Sequence, residues 1–152
     1  MHQAHDMPDT APAGMRLSAP FLPEREGLPL FLSAVQACFP SPADDSVEDR
    51  LDLHRHLVRN KTATFFLHAS GDSMEGAGIR DGDLLVVDRS LEPRNGRTVI
   101  AAVGGELTVK RLARRGGRLL LVPANPRYPE FDVTDREDVC IWGVVTYAVH
   151  KL

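Results

Sequence analysis

The sequence predicts a mainly β domain, a sandwich or partly closed barrel, preceded by an extended arm and one short helix. Three observations carry this. From Thr64 onward, short apolar runs recur about every 12 residues with Gly or Pro between them. Gly104-Gly105 separates two of these runs, a strong two-residue hairpin signal. Prolines at 8, 12, 20, 23, 29, 40 and 42 crowd the first 45 residues. Each removes a backbone donor and blocks continuous helix or sheet.

Taken in order, residues 1–45 read as an extended, Pro-rich arm with one short apolar stretch, LPLFLSAV (28–35). Residues 46–152 read as the folded domain. In SVEDRLDLHRHLVR (46–59), Val47, Leu51, His54 and Val58 recur at helical spacing, with Asp45, Ser46 or Asp52 available as a cap. This predicts one amphipathic helix, over the whole stretch or over its second half alone. Strands are expected over TFFLHA (64–69), LLVVD (84–88), RTVIAAV (97–103), ELTVKRLA (106–113), RLLLVP (118–123) and DVCIWGVVTYAV (138–149).

Composition narrows the function. The 152 residues are 43% hydrophobic, and a chain this long needs no disulfide or metal staple to fold. Eighteen Lys and Arg against 21 Asp and Glu give a formal charge of −3. That argues against direct nucleic-acid binding, which draws on clustered cations. Two cysteines make no disulfide framework, so the chain reads as cytoplasmic. The longest apolar run, 139–149, falls short of the roughly 20 residues a bilayer needs, so no membrane is expected.

The chemistry concentrates in two places. S-G-D-S-M (70–74) follows a strand and precedes a Gly-rich turn, which can expose the Ser73 hydroxyl. The backbone N–H groups of Asp72 and Ser73 can then share one space, as an oxyanion hole requires. Lys110 lies within the strand T-V-K-R-L, with Thr108 and Leu112 as its alternation partners. Serine and lysine make a nucleophile–base pair when the lysine is neutral. Burial against apolar side chains lowers its pKa. A fall of about 3 corresponds to about 4 kcal/mol against the ammonium form.

These segments resemble the LexA/UmuD family of self-cleaving Ser-Lys peptidases, and FPSPA (39–43) resembles its SOS-mutagenesis branch. The resemblance runs from about Leu28 to Val149, through AVQACFPSPADD, ATFFLHASGDSM, GIRDGDLLVVD and VIAAVGGELTVKRL. It implies a LexA/signal-peptidase-like fold, Ser73 as nucleophile, Lys110 as general base and a scissile bond between Ala37 and Cys38. It implies no cofactor and no metal. It further implies stimulation by a RecA–single-stranded-DNA filament. The trimmed homodimer would then serve a UmuC-type translesion DNA polymerase. The family usually has glycine after the cut; Cys38 stands there in this chain, and a side chain makes the backbone kink harder.

Other readings fit less well. V-Q-A-C (35–38) loosely matches a lipobox, but Gln36 is large and acidic residues precede the apolar stretch. A LexA-type repressor fragment would need a DNA-reading domain ahead of the cut, and 37 Pro-rich residues are not expected to form one. A polymerase-accessory module with a vestigial dyad stays open, favoured by Cys38. His54 and His56 diverge on a helix, so zinc is not expected. Cys38 and Cys140 read as free thiols. RLARRGGR (111–118) reads as a solvated hairpin end. Trp142 and Tyr147 read as core or dimer contacts.

Overall fold

A computed structural model describes residues 27–31 and 47–152. The chain divides between Asp52 and Leu53 into two compact units. In the first, β1 (Leu28–Phe31) and β2 (Val47–Leu51) pair antiparallel, Leu28 opposite Leu51. Arg50 ties off this ladder by donating to the Gly27 carbonyl at 2.8 Å.

Of the two extents expected for the helix in 46–59, the shorter one forms, confined to the second half. Its first half is β2, and only Leu53–Leu57 forms α1. Val47 and Leu51 are four apart, which fits a helix face and equally fits every second residue of a strand. Pairing with Leu28–Phe31 supplies the long-range partner that decides the ambiguity. β2 consequently falls within the first unit.

The second unit is built on a seven-stranded antiparallel sheet: β3 (Thr64–His68), β4 (Leu84–Asp88), β5 (Thr98–Val103), β6 (Glu106–Arg115), β7 (Arg118–Val122), β8 (Phe131–Asp132) and β9 (Val139–Val149). Their order across the sheet is β3-β4-β9-β5-β6-β7-β8. The expected strands all form, within a residue or two at each end; two-residue β8 carried no sequence signal of its own. The β5–β6 hairpin turns on Gly104 and Gly105, with φ of 58° and 85°. Two successive positive φ values are what a tight hairpin matched to strand twist demands, and glycine adopts them without penalty.

Two apolar clusters fill the unit. Met74, Ile79, Leu85, Val87 and Ile100 form one, and Val99, Ala101, Leu112, Leu121 and Val144 form the other. Alternation along β5 explains the split, because Ile100 points to the first cluster and Val99 and Ala101 to the second. Strands buried on both faces read as continuous apolar runs, and TVIAAV does. β9 serves both clusters through neighbours Val144 and Val145. Its register shifts twice, opposite Val86/Val87 and opposite Ile100/Ala101. Such shifts bend a long strand so that it follows both partners.

Leu112 is 1% exposed at the centre of the second cluster, whereas Leu107 on the same strand is 45% exposed. Leu112→Ala is expected to cost about 2–5 kcal/mol in urea unfolding. Leu107→Ala is expected to stay within about 1 kcal/mol.

Candidate active site

The turn bearing Ser73 leaves β3 at Ala69 and re-enters the core at Met74, and both residues are buried in the first cluster. Each side of the turn is held by hydrogen bonds. Towards β4, Ala69 N donates to Asp83 O at 2.8 Å and Gly71 N to Asp81 Oδ1 at 2.7 Å. Towards the loop after β7, Ala124 N donates to Ser73 O at 2.8 Å and Gly76 N to Ala124 O at 2.7 Å. Asn125 Nδ2 donates to Asp72 O at 3.0 Å, and the Tyr128 hydroxyl donates to Asp72 Oδ1. Gly76 is required by this clasp: a Cβ there would lie 2.5 Å from the Ala124 carbonyl oxygen.

Lys110 comes from β6, paired opposite Val99 of β5. Cross-strand partners share a face, so its side chain emerges on the side of the second cluster. It is 7% exposed. Its Nζ lies 3.0 Å from Ser73 Oγ, 2.9 Å from Thr108 Oγ1 and 2.9 Å from the Val109 carbonyl oxygen. Burial holds its pKa below the ordinary 10.5. A desolvated ammonium loses more hydration than three neutral oxygens return, which is why the neutral form gains.

Two cavities meet at this pair. One of about 230 Å³ is walled by Leu67, Ala69, Leu85 and Ile100. The other, about 420 Å³, is walled by Val103, Leu107, Leu121, Tyr128 and Phe131. Ser73 and Lys110 line both. A small apolar pocket and a larger one flanking the Ser73 hydroxyl have the shape and lining to take an extended, largely apolar peptide.

The sequence-predicted residues separate cleanly. Ser73 and Lys110 are brought together across 37 positions of chain. The amides of Asp72 and Ser73 donate to no acceptor among the described residues. Ala37 and Cys38 lie outside the described residues, as does the first part of the arm with His2 and His5. His54 and His56 sit on α1, and no cluster of metal-ligating side chains occurs among the described residues. Cys140 is a free, exposed thiol. In RLARRGGR, Arg115 pairs with Glu130 and Arg118 with Asp132 on the surface. Asp132 falls to about 2, through Thr134 first and Arg118 after it. Trp142 packs edge-on to Phe65 beneath Arg89, and Tyr147 packs against His56. Among the described residues no helix is long and apolar enough to cross a membrane.

Asn125 and Tyr128 were not foreseen. They sit 52 and 55 positions beyond Ser73, in a loop whose sequence signals only a turn.

Comparison with known proteins agrees with this geometry. The model of the peptidase S24-like family matches residues 29–146. Protein ImpA of Salmonella typhimurium is 50% identical over 123 residues, covering 81% of this chain and 83% of its own. Protein MucA of Escherichia coli is 46% identical over 123 residues, covering 80% and 84%. The LexA repressor of Bordetella parapertussis is 38% identical over 138 residues, 91% of this chain but 62% of its own length. The chain belongs to the peptidase S24-like family and is, at that level, a serine peptidase.

The lowered pKa of Lys110 makes its burial visible in stability. Unfolded, this lysine titrates near 10.5; folded, it titrates lower. Between the two values the unfolded chain binds more protons, so stability rises with pH across that window. Below the folded value both states are charged and the whole desolvation penalty stands. Lys110→Met removes the penalty. The variant is expected to be more stable than the parent near neutral pH, with the gap closing toward pH 10.5. Chemical denaturation at a series of pH values measures this.

Proposed function

We propose that this chain cleaves its own backbone between Ala37 and Cys38, with Ser73 as nucleophile and Lys110 as general base, as a UmuD-like protein of SOS mutagenesis. The observation that carries the reading is a buried lysine amine 3.0 Å from a serine hydroxyl.

As an ammonium, Lys110 can donate to all three oxygens around it; as a neutral amine it can donate to two and turn its lone pair to the third. Such an amine has two N–H groups and one lone pair. The Val109 carbonyl can only accept, and Thr108 Oγ1 accepts the second N–H. The lone pair is left for the Ser73 proton. Lys110 takes that proton as Ser73 Oγ bonds to the Ala37 carbonyl carbon. The Asp72 and Ser73 amides hold the oxyanion that forms. Lys110 then gives the proton to the departing amine of Cys38. A water deprotonated by Lys110 attacks the resulting ester, freeing Ser73 and leaving a carboxylate on Ala37.

The substrate is part of the same chain, which supplies a high effective concentration once the segment enters the cleft. The UmuD-like segments support a RecA–single-stranded-DNA filament as the stimulus. They also support a cytoplasmic homodimer of the trimmed chain, residues 38–152, as accessory to a UmuC-type translesion polymerase. The net charge of −3 fits contacts with proteins rather than with DNA. Cys38 in place of glycine favours a second reading, a non-cleaving accessory module built on the same fold.

Mass analysis of the purified chain with and without activated RecA decides between them. The parent is expected to yield a fragment lacking the first 37 residues, and Ser73→Ala none. The rate is expected to rise with pH and level off above the lowered pKa of Lys110, because only the neutral amine accepts the proton. A parent chain intact both at alkaline pH and with activated RecA would establish the accessory module. If the kink after Ala37 limits the reaction, Cys38→Gly is expected to cleave about tenfold faster, because a side chain costs about 1–2 kcal/mol in a left-handed backbone conformation that glycine adopts freely.

A further inference from the structure

We infer that Tyr128 is a positioning residue that holds the Asp72 carboxylate away from the oxyanion site and from Lys110; this rests on the self-cleavage reading. Asp72 adjoins the nucleophile, and its backbone amide is one of the two oxyanion donors of that mechanism. Its side chain is an anion lining the same cavity as Lys110. Both of its natural tendencies oppose catalysis. A carboxylate near a developing oxyanion raises the barrier by like-charge repulsion. A carboxylate near Lys110 favours the ammonium form and removes the base.

The loop after β7 answers this directly. The Tyr128 hydroxyl donates to Asp72 Oδ1. The loop itself is shaped by Asn125, whose Oδ1 accepts from Arg127 N at 3.0 Å and whose carbonyl accepts from Tyr128 N at 3.1 Å. The bond and the charge of Asp72 together raise the phenol pKa above its ordinary value, which favours the protonated, donating form of the hydroxyl. The remaining ionisable groups around these residues are Glu106 in the larger cavity, His68 in the smaller, and Arg127 and Glu75 near the phenol.

A purely structural role is carried elsewhere in the same clasp. Asn125 is buried and bonds the Asp72 carbonyl, and Ala124 pairs its main chain with Ser73 and Gly76. Tyr128 is 42% exposed, where a side-chain hydrogen bond adds little to folding. Its loss belongs in the chemistry.

The test is the first-order self-cleavage rate of the full chain between pH 7 and 11, for the parent, Tyr128→Phe, Asp72→Asn and the double variant, with Ser73→Ala as blank. Tyr128→Phe is expected to keep the melting temperature, to slow cleavage about tenfold and to move the midpoint of the pH–rate curve upward. In the Asp72→Asn background the same substitution is expected to change the rate less than about twofold, because no anion is left to restrain. A Tyr128→Phe chain with the parent's rate and midpoint overturns the inference. So does an equal loss in both backgrounds, which would mark Tyr128 as a packing residue. A fragment persisting in Ser73→Ala would instead overturn the self-cleavage reading itself.

Discussion

The desolvation of one amine governs the design of this molecule. Lys110 sits where an ammonium is penalised, 7% exposed and faced by neutral oxygens. Among the described residues no carboxylate is bonded to it, and a bonded carboxylate would restore the charge and the ordinary pKa. The same burial that weakens the fold near neutral pH is what the proposed role of base requires. On that proposal stability and activity are opposed at this position, a trade common at functional sites.

The rest of the second unit maintains that arrangement. β6 must place Lys110 and Thr108 on one face, and the six-pair register between β5 and β6 does so. The nucleophile turn must approach that face closely, which requires anchoring at both ends. Ala69 and Met74 anchor it in the first cluster, and the loop after β7 clasps it from the far side. Leu112, two residues beyond the lysine, belongs to the second cluster. The reactive pair thus spans the junction of the two cores, and neither partner can drift without disturbing one of them.

Much of this was legible in the sequence because it depends on local signals. Strand runs, the Gly-Gly hairpin and the alternation around Lys110 are short-range patterns, and the sheet follows them. Pairing of Ser73 with Lys110 was legible only through family resemblance, since no periodicity links positions 37 residues apart. Two failures share a physical cause. β2 carries no strand signal of its own, because the spacing of Val47 and Leu51 suits either period and its strand partner lies 16 residues or more upstream. Asn125 and Tyr128 passed unnoticed because their importance arises from contact with Asp72, more than 50 positions away. Composition records what a residue is, and long-range closure determines what it touches.

Residues of the second unit alone make the Ser73–Lys110 contact. Ser73, Lys110, Thr108, Asn125 and Tyr128 all lie within Leu53–Leu152, and the proposed scissile bond lies before it. Assembly of the site therefore does not wait on the segment to be cut. If the chain nevertheless stays whole until a stimulus arrives, the restraint must act on delivery of the peptide into the cleft. Moving such an equilibrium from about 1:99 to 99:1 takes about 5.5 kcal/mol of differential binding. A partner can supply that by favouring the docked conformation, without touching Ser73 or Lys110. A tethered substrate suits this kind of control, because the cost of bringing it close is already met by the covalent chain and only its conformation remains to be chosen.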